Sequence, residues 1–518
     1  MSEIRKNDEF EIEITDMSND GEGIGHANGM AFFVKGAVVG DIILAGATKL
    51  KKNYGYARIV KIIKPSSARV QPKCPIASRC GGCSLQHMDY KAQLEYKQKK
   101  VLDALVRIGG LERERFVFDG TDEAWRFDDE DHDNTAGMND KIRFYDILGM
   151  DDPYYYRNKG QFPVGTDRNG KTVCGFYTVH SHDIIDTDSC LLQHGITDRL
   201  MEAVRKYMSE CGVGAYCENP DDTPKQKSRK GNNDHAGSNG IIRHVLTRVG
   251  FMTHEVMVCI VIAADDLPYK DRLVRLLNAA VELYNSENNA DYSLNSVSFN
   301  VNKENTNVIM GDKVVTIAGF PFITDYIGDL QYRISPLSFY QVNPVQTEKL
   351  YSAALEFAAP KTGDTVWDLY CGIGTISLFM AKYAGKVIGI EIVPQAIEDA
   401  RENAKMNGIT NAEFICGAAE EVMPELLAQN SDTSGDIVVV DPPRKGCDEK
   451  LLASIAQIAP GRIVYVSCDP ATLARDIRIL RDYGYEPRKV QPTEMFPQTN
   501  HVETVALLQH KEHDDEKR

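Results

Sequence analysis

The sequence predicts a multidomain protein: a small β unit, then an α+β centre, then a doubly wound α/β domain. Three observations predict it. The chain has 518 residues, more than one hydrophobic core usually carries, so two to four domains are expected. Near the N-terminus apolar and polar residues alternate at period two. From about residue 362, short apolar strands alternate with amphipathic helices, the pattern of a parallel sheet covered by helices.

The β unit comes first. Residues 9–63 read as FEIEI, MAFFVKG, GDIILAGATKL and YARIVKII, broken by Gly and Asn turns. Lys49, Lys51, Lys52, Tyr54, Tyr56 and Arg58 fall on one turn and strand. Cations interleaved with aromatics suit an RNA backbone with stacked bases; a solvated hairpin is the plain alternative. Residues 72–90 are rich in cysteine, and a helix, YKAQLEYKQKKVLDALVRI, follows. Two insertions, acidic 119–141 and polar 219–239, lack apolar periodicity and are expected to be exposed loops.

Between 154 and 325, YYYRNKGQFPVG, KTVCGFYTVHSHDIIDT, IIRHVLTRVG, EVMVCIVIAA and LNSVSFNVN read as strands, and RLMEAVRKYMSECG as a helix. In the last third TVWDLY, VIGIEIV, EFICG, DIVVVDPP and RIVYVSC read as strands, with helices such as PQAIEDARENAKMNG between them.

Composition narrows the class. No apolar run is long enough to cross a bilayer, and the opening MSEIRKNDEFEIEI is charged rather than signal-like, so a cytoplasmic protein with no membrane partner is expected. Twelve cysteines in a reducing compartment point to metal ligands or catalysis before disulfides. The net charge of -16 argues against a nucleic-acid partner. Much of it, however, lies in Asp119–Asp140 and the tail EHDDEKR, which weakens that argument.

Chemistry gathers at the strand ends of the last domain. The first strand runs into Asp368-Leu369-Tyr370-Cys371-Gly372-Ile373-Gly374-Thr375. Glycines at such a turn let the backbone approach a ligand. The second strand ends at Glu391, whose carboxylate can accept both hydroxyls of a ribose. Ser377 stands where a dinucleotide site would want a third glycine, so an adenosyl ligand without a pyrophosphate fits better than NAD. The fourth strand ends in Asp441-Pro442-Pro443-Arg444. In amino-group methyltransferases an aromatic usually follows such a D-P-P, and Arg444 speaks against that reading.

The fifth strand ends in Ser467-Cys468-Asp469-Pro470, just before a helix beginning near Ala471. A thiol there is expected to have a lowered pKa. A thiolate adding to carbon 6 of a uracil makes carbon 5 nucleophilic enough to take a methyl group. A base must then remove the carbon 5 proton, and Glu503, at the start of the strand ETVALLQ, is the candidate. Taken singly, Cys468 also reads as an inert core cysteine and Glu503 as a strand-edge acid.

Cys74, Cys80 and Cys83 have the spacing C-x5-C-x2-C, with Cys190 as a distant fourth candidate. Four thiolates suit zinc or a [4Fe–4S] cluster, and spacing alone leaves both open.

These motifs carry a resemblance. Over nearly its whole length the chain resembles RNA uridine-5-methyltransferases of the TrmA/RumA type, through Phe339-Tyr340-Gln341-Val342-Asn343, DLYCGIGT, GIEIV, DPPRKGCD, SCDPATLARD and MFPQTNHVE. The resemblance implies an N-terminal TRAM (OB-like) β-barrel over 1–68. It implies a central α+β domain with an iron–sulfur cluster over 69–340, and a Rossmann-like domain that uses S-adenosyl-L-methionine over 341–518. It implies Cys468 as nucleophile and Glu503 as base. Gln341, Tyr370, Glu391 and Asp441 would contact the methyl donor or the target base, beside the donor-site residues Gly372, Gly374 and Thr375. Cys74, Cys80, Cys83 and Cys190 would hold a [4Fe–4S] cluster of structural or RNA-positioning role. The expected reaction gives 5-methyluridine in 23S rRNA by a monomeric enzyme acting on a flipped base. Competing readings are a tRNA uridine-5-methyltransferase, a cytosine-5-methyltransferase and a non-catalytic iron–sulfur RNA-binding protein.

Overall fold

The computed structural model describes residues 4–119, 140–167, 169–179, 181–217, 240–429 and 435–511. The second insertion, nearly all of the first and the acidic tail lie outside them. Two compact units emerge. One joins Met1–Pro72, Ser84–Asp152 and Val345–Arg518; the other joins Lys73–Cys83 and Pro153–Pro344.

The first unit opens with β1 (Glu9–Met17), β2 (Gly23–Ala27), β3 (Met30–Val34), β4 (Ile42–Leu50) and β5 (Tyr54–Lys64), which close into a barrel of order β1-β2-β3-β5-β4. The period-two pattern sends Ile12, Ile14, Phe32, Val34, Ile43 and Ala45 inward. Gly25 is required where β1 and β2 meet: a Cβ there would sit 2.4 Å from the Glu13 carbonyl oxygen. The exit from the barrel is pinned by fully buried Asp41, which accepts from the Val38 and Ser66 backbone N–H groups and from the Arg69 guanidinium at 2.5 Å.

Next come α1 (Tyr90–Arg107), capped by Asp89 on the Ala92 N–H, and two short strands, β6 (Phe116–Asp119) and β7 (Ile142–Tyr145). They flank the first insertion.

The second unit is built on β8 (Lys159–Thr166), β9 (Thr172–Tyr177), β10 (Ile184–Asp186), α2 (Ile196–Cys211), β11 (Ile242–Val249), β12 (Glu255–Ile262), α3 (Lys270–Asn288), β13 (Ser293–Val301) and β14 (Lys313–Gly319), followed by a hairpin of β15 (Ile323–Ile327) and β16 (Leu330–Ile334). Its seven-stranded sheet runs β10-β9-β8-β11-β12-β13-β14, and α2 and α3 pack into one core with it. KTVCGFYTVHSHDIIDT is thus two strands, not one.

The chain then returns to the first unit through α4 (Pro344–Ala358), β17 (Thr365–Leu369), α5 (Thr375–Ala381), β18 (Lys386–Glu391), α6 (Pro394–Met406), β19 (Ala412–Cys416), α7 (Ala419–Gln429), β20 (Ile437–Val440), α8 (Glu449–Ile458), β21 (Arg462–Ser467), α9 (Pro470–Asp482), β22 (Tyr485–Thr493) and β23 (Glu503–His510). The nine-stranded sheet has the order β19-β18-β17-β20-β21-β23-β22-β7-β6. Strands β17 to β21 are parallel, as the strand–helix alternation predicts. The sheet is not parallel throughout: β23 is antiparallel to both β21 and β22. The reason is connection length, since a parallel neighbour needs a crossover helix and residues 494–502 form only a loop. Beyond β22, β7 and β6 extend the edge, and α1 packs on α9 through Val101, Leu102, Leu105, Leu473 and Ile477. Among the described residues no helix is long and apolar enough to cross a membrane.

Candidate active site

The sheet order places five strand ends in a row. β18 ends at Glu391, β17 runs into Tyr370, β20 into Asp441 and β21 into Cys468, and β23 begins at Glu503. Because β23 runs antiparallel to β21 with Ser467 opposite Thr504, the next residue of each strand, Cys468 and Glu503, meets across the pair. Ligands of open α/β sheets sit at these carboxyl ends.

The turn after β17 is bent tightly. Tyr370, Gly372 and Gly374 all have positive φ, at 71°, 56° and 82°. A non-glycine residue in that region is costly and marks a constrained site. A Cβ on Gly372 would meet nothing within 4 Å, whereas one on Gly374 would press on Phe414 and Ala400. The turn is tied down by Asn403 Nδ2, which donates to the Ile373 carbonyl at 3.0 Å. The Glu391 carboxylate accepts from the Gly372 N–H at 3.2 Å and the Val393 N–H at 2.9 Å. Thr375 shares a 3.0 Å hydrogen bond with the hydroxyl of buried Tyr351 on α4.

Beneath the turn lies Asp368, fully buried. One carboxyl oxygen accepts from Ser377 Oγ at 2.5 Å, and the other, Oδ1, is buried with no partner. Ser377 thus has a task of its own at the place of the missing third glycine. An orphaned acceptor beneath an open glycine turn, with Glu391 at the neighbouring strand end, fits an adenosyl ligand that carries hydrogen-bond donors and a positive charge.

The electrostatics run along the row. Burial, then Glu391's charge, push Asp368 up to about 6. Burial, then Asp368, push Asp441 up to about 7. Burial, then Asp441, push Glu503 up to about 8, with Arg444 opposing. Burial, then Glu503 and Asp441, push the Cys468 thiol up to about 12, again with Arg444 opposing. This corrects the expectation of a lowered thiol pKa. Burial is the main cause, and the helix end does not offset it because Asp469 already caps α9, accepting from the Ala471 N–H at 2.8 Å and the Thr472 N–H at 3.3 Å. The helix end therefore faces a carboxylate instead of a free thiol, and two further acids stand close by.

Glu503 is 3% exposed, and among the described residues no hydrogen bond or ion pair reaches its carboxyl. The loop leading into it is anchored by α1. Lys97, fully buried, pairs with Glu494 at 2.5 Å and donates to the Phe496 carbonyl. Gln93 exchanges two hydrogen bonds with Gln498, and Lys100 donates to the Asn500 carbonyl at 2.9 Å. The loop after Asp441 is held by Asp476 of α9, which accepts from the Cys447 N–H and the Tyr465 hydroxyl.

Tyr351 and α1's Gln93 and Lys97 were not read from the sequence, and Asp368 opens the strand-end motif but carried no role of its own there. For Asp368 a signal existed, a carboxylate inside an otherwise apolar strand. The other three sit in segments with no motif.

Gln341 belongs to the second unit, so the structure does not assign it to the row. It is buried there, and its carbonyl accepts from Asn158 Nδ2 at 2.9 Å. The second unit also holds Cys74, Cys80, Cys83 and Cys190. Burial raises the Cys190 thiol, and so do Cys80 and Cys74 as electrostatic neighbours. Among the described residues, however, no group of three or more His, Cys, Asp or Glu is placed to hold a metal ion. The geometry therefore lends the iron–sulfur expectation no support, because these thiols neighbour one another without closing into a coordination shell.

On the barrel, Tyr54, Tyr56 and Phe33 form a cluster with ring centroids 5.6–5.7 Å apart. Lys49 stands opposite Tyr56 across the β4–β5 pair. Of the residues read from the sequence, Lys49, Tyr54 and Tyr56 thus come together, and Phe33 joins them.

Comparison with known proteins agrees with this geometry. Residues 323–511 match the family model for tRNA (uracil-5-)-methyltransferases, and residues 5–60 match that for the TRAM domain. A protein of Halalkalibacterium halodurans described as an uncharacterized RNA methyltransferase is 44% identical, with 98% of each chain covered. A Clostridium tetani protein of the same description is 41% identical over 98% of this chain and 97% of its own. Among solved structures, Pyrococcus abyssi tRNA (uracil-54, C5)-methyltransferase in complex with S-adenosyl-L-homocysteine superposes with a TM-score of 0.68. It is 25% identical, and the match covers 96% of this chain and 99% of that one.

Proposed function

The chain belongs to the TRAM-containing RNA uracil-5-methyltransferase family, and from that premise we propose that it methylates carbon 5 of a uridine in 23S rRNA through a covalent Cys468–uracil adduct. The observation that carries the mechanism is the β21–β23 register, which sets Cys468 against Glu503 with Asp441 on the next strand.

When bound, S-adenosyl-L-methionine supplies an electrophilic methyl group on a sulfonium. Gly372, Gly374, Glu391 and Asp368 would hold it, with Tyr370 and Thr375 shaping the turn. A row of acids with raised pKa values suits a cation at its centre, since a positive charge favours their ionised forms. Cys468 gives up its thiol proton to solvent and its thiolate adds to carbon 6 of the uracil, carbon 5 takes the methyl group with release of S-adenosyl-L-homocysteine, and Glu503 then accepts the carbon 5 proton as the carbon–sulfur bond breaks. A carboxyl pushed up to about 8 is a stronger base than an ordinary carboxylate. Arg444 is the cation whose field favours the thiolate.

The barrel's Phe33, Tyr54, Tyr56 and Lys49 support an RNA-binding role for that surface. The reading includes a [4Fe–4S] cluster on Cys74, Cys80, Cys83 and Cys190, four cysteines that lie in one unit. It also includes a monomer working in the cytoplasm. The Pyrococcus abyssi enzyme, named for a tRNA substrate, favours tRNA as the second reading.

The test is a methyl-transfer assay with labelled S-adenosyl-L-methionine on unmodified 23S rRNA and tRNA transcripts, comparing wild type with Cys468→Ala. Label in 5-methyluridine of rRNA, lost in the variant, is expected. Label in tRNA alone would move the assignment to the second reading, and label retained in Cys468→Ala would overturn the mechanism. Visible absorption and iron and sulfide content, compared with Cys190→Ser, test the cluster.

A further inference from the structure

The β15–β16 hairpin of the second unit has two unlike faces. Burial alternates along it with period two: Ile323, Asp325 and Tyr332 are buried, whereas Phe322, Thr324 and Arg333 are half-buried. Thr324 pairs with Arg333, so Arg333 is the diagonal neighbour of Phe322. Its guanidinium carbon lies 4.8 Å from the centre of the Phe322 ring. Phe322 is also stacked against Phe320, with ring planes 28° apart and centroids 6.0 Å apart. Phe320 itself is 61% exposed.

The exposed ring sits on a pinned turn. The Phe320 N–H donates to the Asn295 carbonyl at 2.8 Å. Gly319 before it has a φ of +72°, and a Cβ there would lie 2.0 Å from the same carbonyl oxygen. Pro321 after it restricts Phe320 to extended backbone. Two carboxylates tie the hairpin to the sheet. Glu255 on β12 accepts from the Thr324 N–H at 2.6 Å. Asp325 accepts from the Phe251 N–H at 3.0 Å and the Met252 N–H at 2.9 Å. A singly exposed apolar side chain is ordinary on a protein surface. A large ring held in water on a fixed turn, backed by a second ring and a cation, is a preorganised contact surface.

We propose that Phe320, backed by Phe322 and Arg333, is a stacking platform for an unpaired base of the RNA substrate. Every base has a face that stacks on an aromatic ring, and only an unpaired base leaves that face open. The Arg333 guanidinium complements the charge of a polyanion, which a purely apolar partner would not use. Such a contact holds a strand without reading its sequence. The inference rests on the RNA-methyltransferase reading and adds a contact that reading does not contain.

Three measurements on the full-length protein test it. Ultraviolet cross-linking to unmodified 23S rRNA and tRNA transcripts, read by peptide mass spectrometry, should give a nucleotide adduct at Phe320. Equilibrium RNA binding compares wild type with Phe320→Leu, which keeps an apolar side chain but loses the ring, and with Phe320→Trp, which enlarges it. The ring is mostly in water, so neither substitution opens a core. Phe320→Leu should bind about tenfold more weakly, the size of one base–aromatic stack, with the slope of log affinity against log salt unchanged. Phe320→Trp should bind at least as tightly as wild type. Sedimentation velocity reports the oligomeric state of each protein. Wild type that binds and methylates RNA, with no adduct at Phe320 and undiminished affinity in Phe320→Leu, would overturn the platform and leave the enzyme reading intact. Equal losses in Phe320→Leu and Phe320→Trp would overturn stacking as the contact. A wild-type dimer that Phe320→Leu converts to a monomer of unchanged RNA affinity would assign the ring to a second copy of the chain and overturn the RNA assignment. Wild type that neither binds nor methylates RNA would overturn both readings.

Discussion

Replacing Glu503 by Gln should stabilise the protein at alkaline pH while abolishing turnover. The carboxyl is 3% exposed, and burial beside Asp441 moves its pKa from 4.5 to about 8. At roughly 1.4 kcal/mol per unit, that is a ceiling of about 4–5 kcal/mol against the folded state once the group is ionised. Relaxation of the site and protonation of Asp441 relieve part of this, leaving about 2–4 kcal/mol as the expected difference. The sign follows from proton binding. Between pH 4.5 and about 8 the folded state holds a proton that the unfolded state has released, so wild-type stability falls as pH rises through that window. The substituted amide has no proton to lose, so the variant lacks this component of the decline. Urea denaturation of both proteins from pH 5 to pH 9 reads it directly. The curves should lie close at pH 5 and diverge in favour of Glu503→Gln by pH 9. Parallel curves, or a variant less stable at pH 9, would show that the carboxyl is not held neutral by its surroundings. In activity the same variant should accumulate a covalent RNA–protein species, since the carbon 5 proton has no acceptor; release of 5-methyluridine at the wild-type rate would remove Glu503 from the mechanism.

Three further outcomes are expected. Iodoacetamide should alkylate Cys468 in the free protein about tenfold faster per pH unit from 7 to 9, with no plateau, because its thiol is pushed up to about 12; a midpoint below pH 8, read from the Cys468 peptide, would contradict the acidic surroundings described for it. Lys97→Met should cost about 3–5 kcal/mol in urea unfolding, because it leaves Glu494 buried without its cation, and adding Glu494→Gln should recover most of it; equal losses in the single and double variants would deny the pair its role. Gly374→Ala places a Cβ 3.2 Å from Phe414 at φ +82°, so calorimetry should show S-adenosyl-L-homocysteine binding at least tenfold more weakly in a folded protein; unchanged affinity would place the donor elsewhere.

Much of the fold was legible because its signals are local. Period-two alternation marked the barrel strands. Glycines at a strand end marked the tight turn after β17, where Gly372 and Gly374 do adopt positive φ. The thiol's acidity was misjudged because it was inferred from one helix end, whereas a pKa sums over every nearby charge and over burial. Tyr351 and Lys97 read as ordinary helix residues until the surfaces they are buried against are known.

By itself, the sequence determined which segments become strands and helices and which motifs stand at their ends, since propensity, turn chemistry and hydrophobic period act within a few residues. Only the tertiary structure decided which ends become neighbours. It inserted β23 antiparallel beside β21 and so set Glu503 against Cys468. It brought β6 and β7 to the sheet's far edge and drew α1 against the loop that leads into Glu503. Strand order and the summed field of buried charges depend on contacts between residues hundreds of positions apart, and no local pattern encodes them.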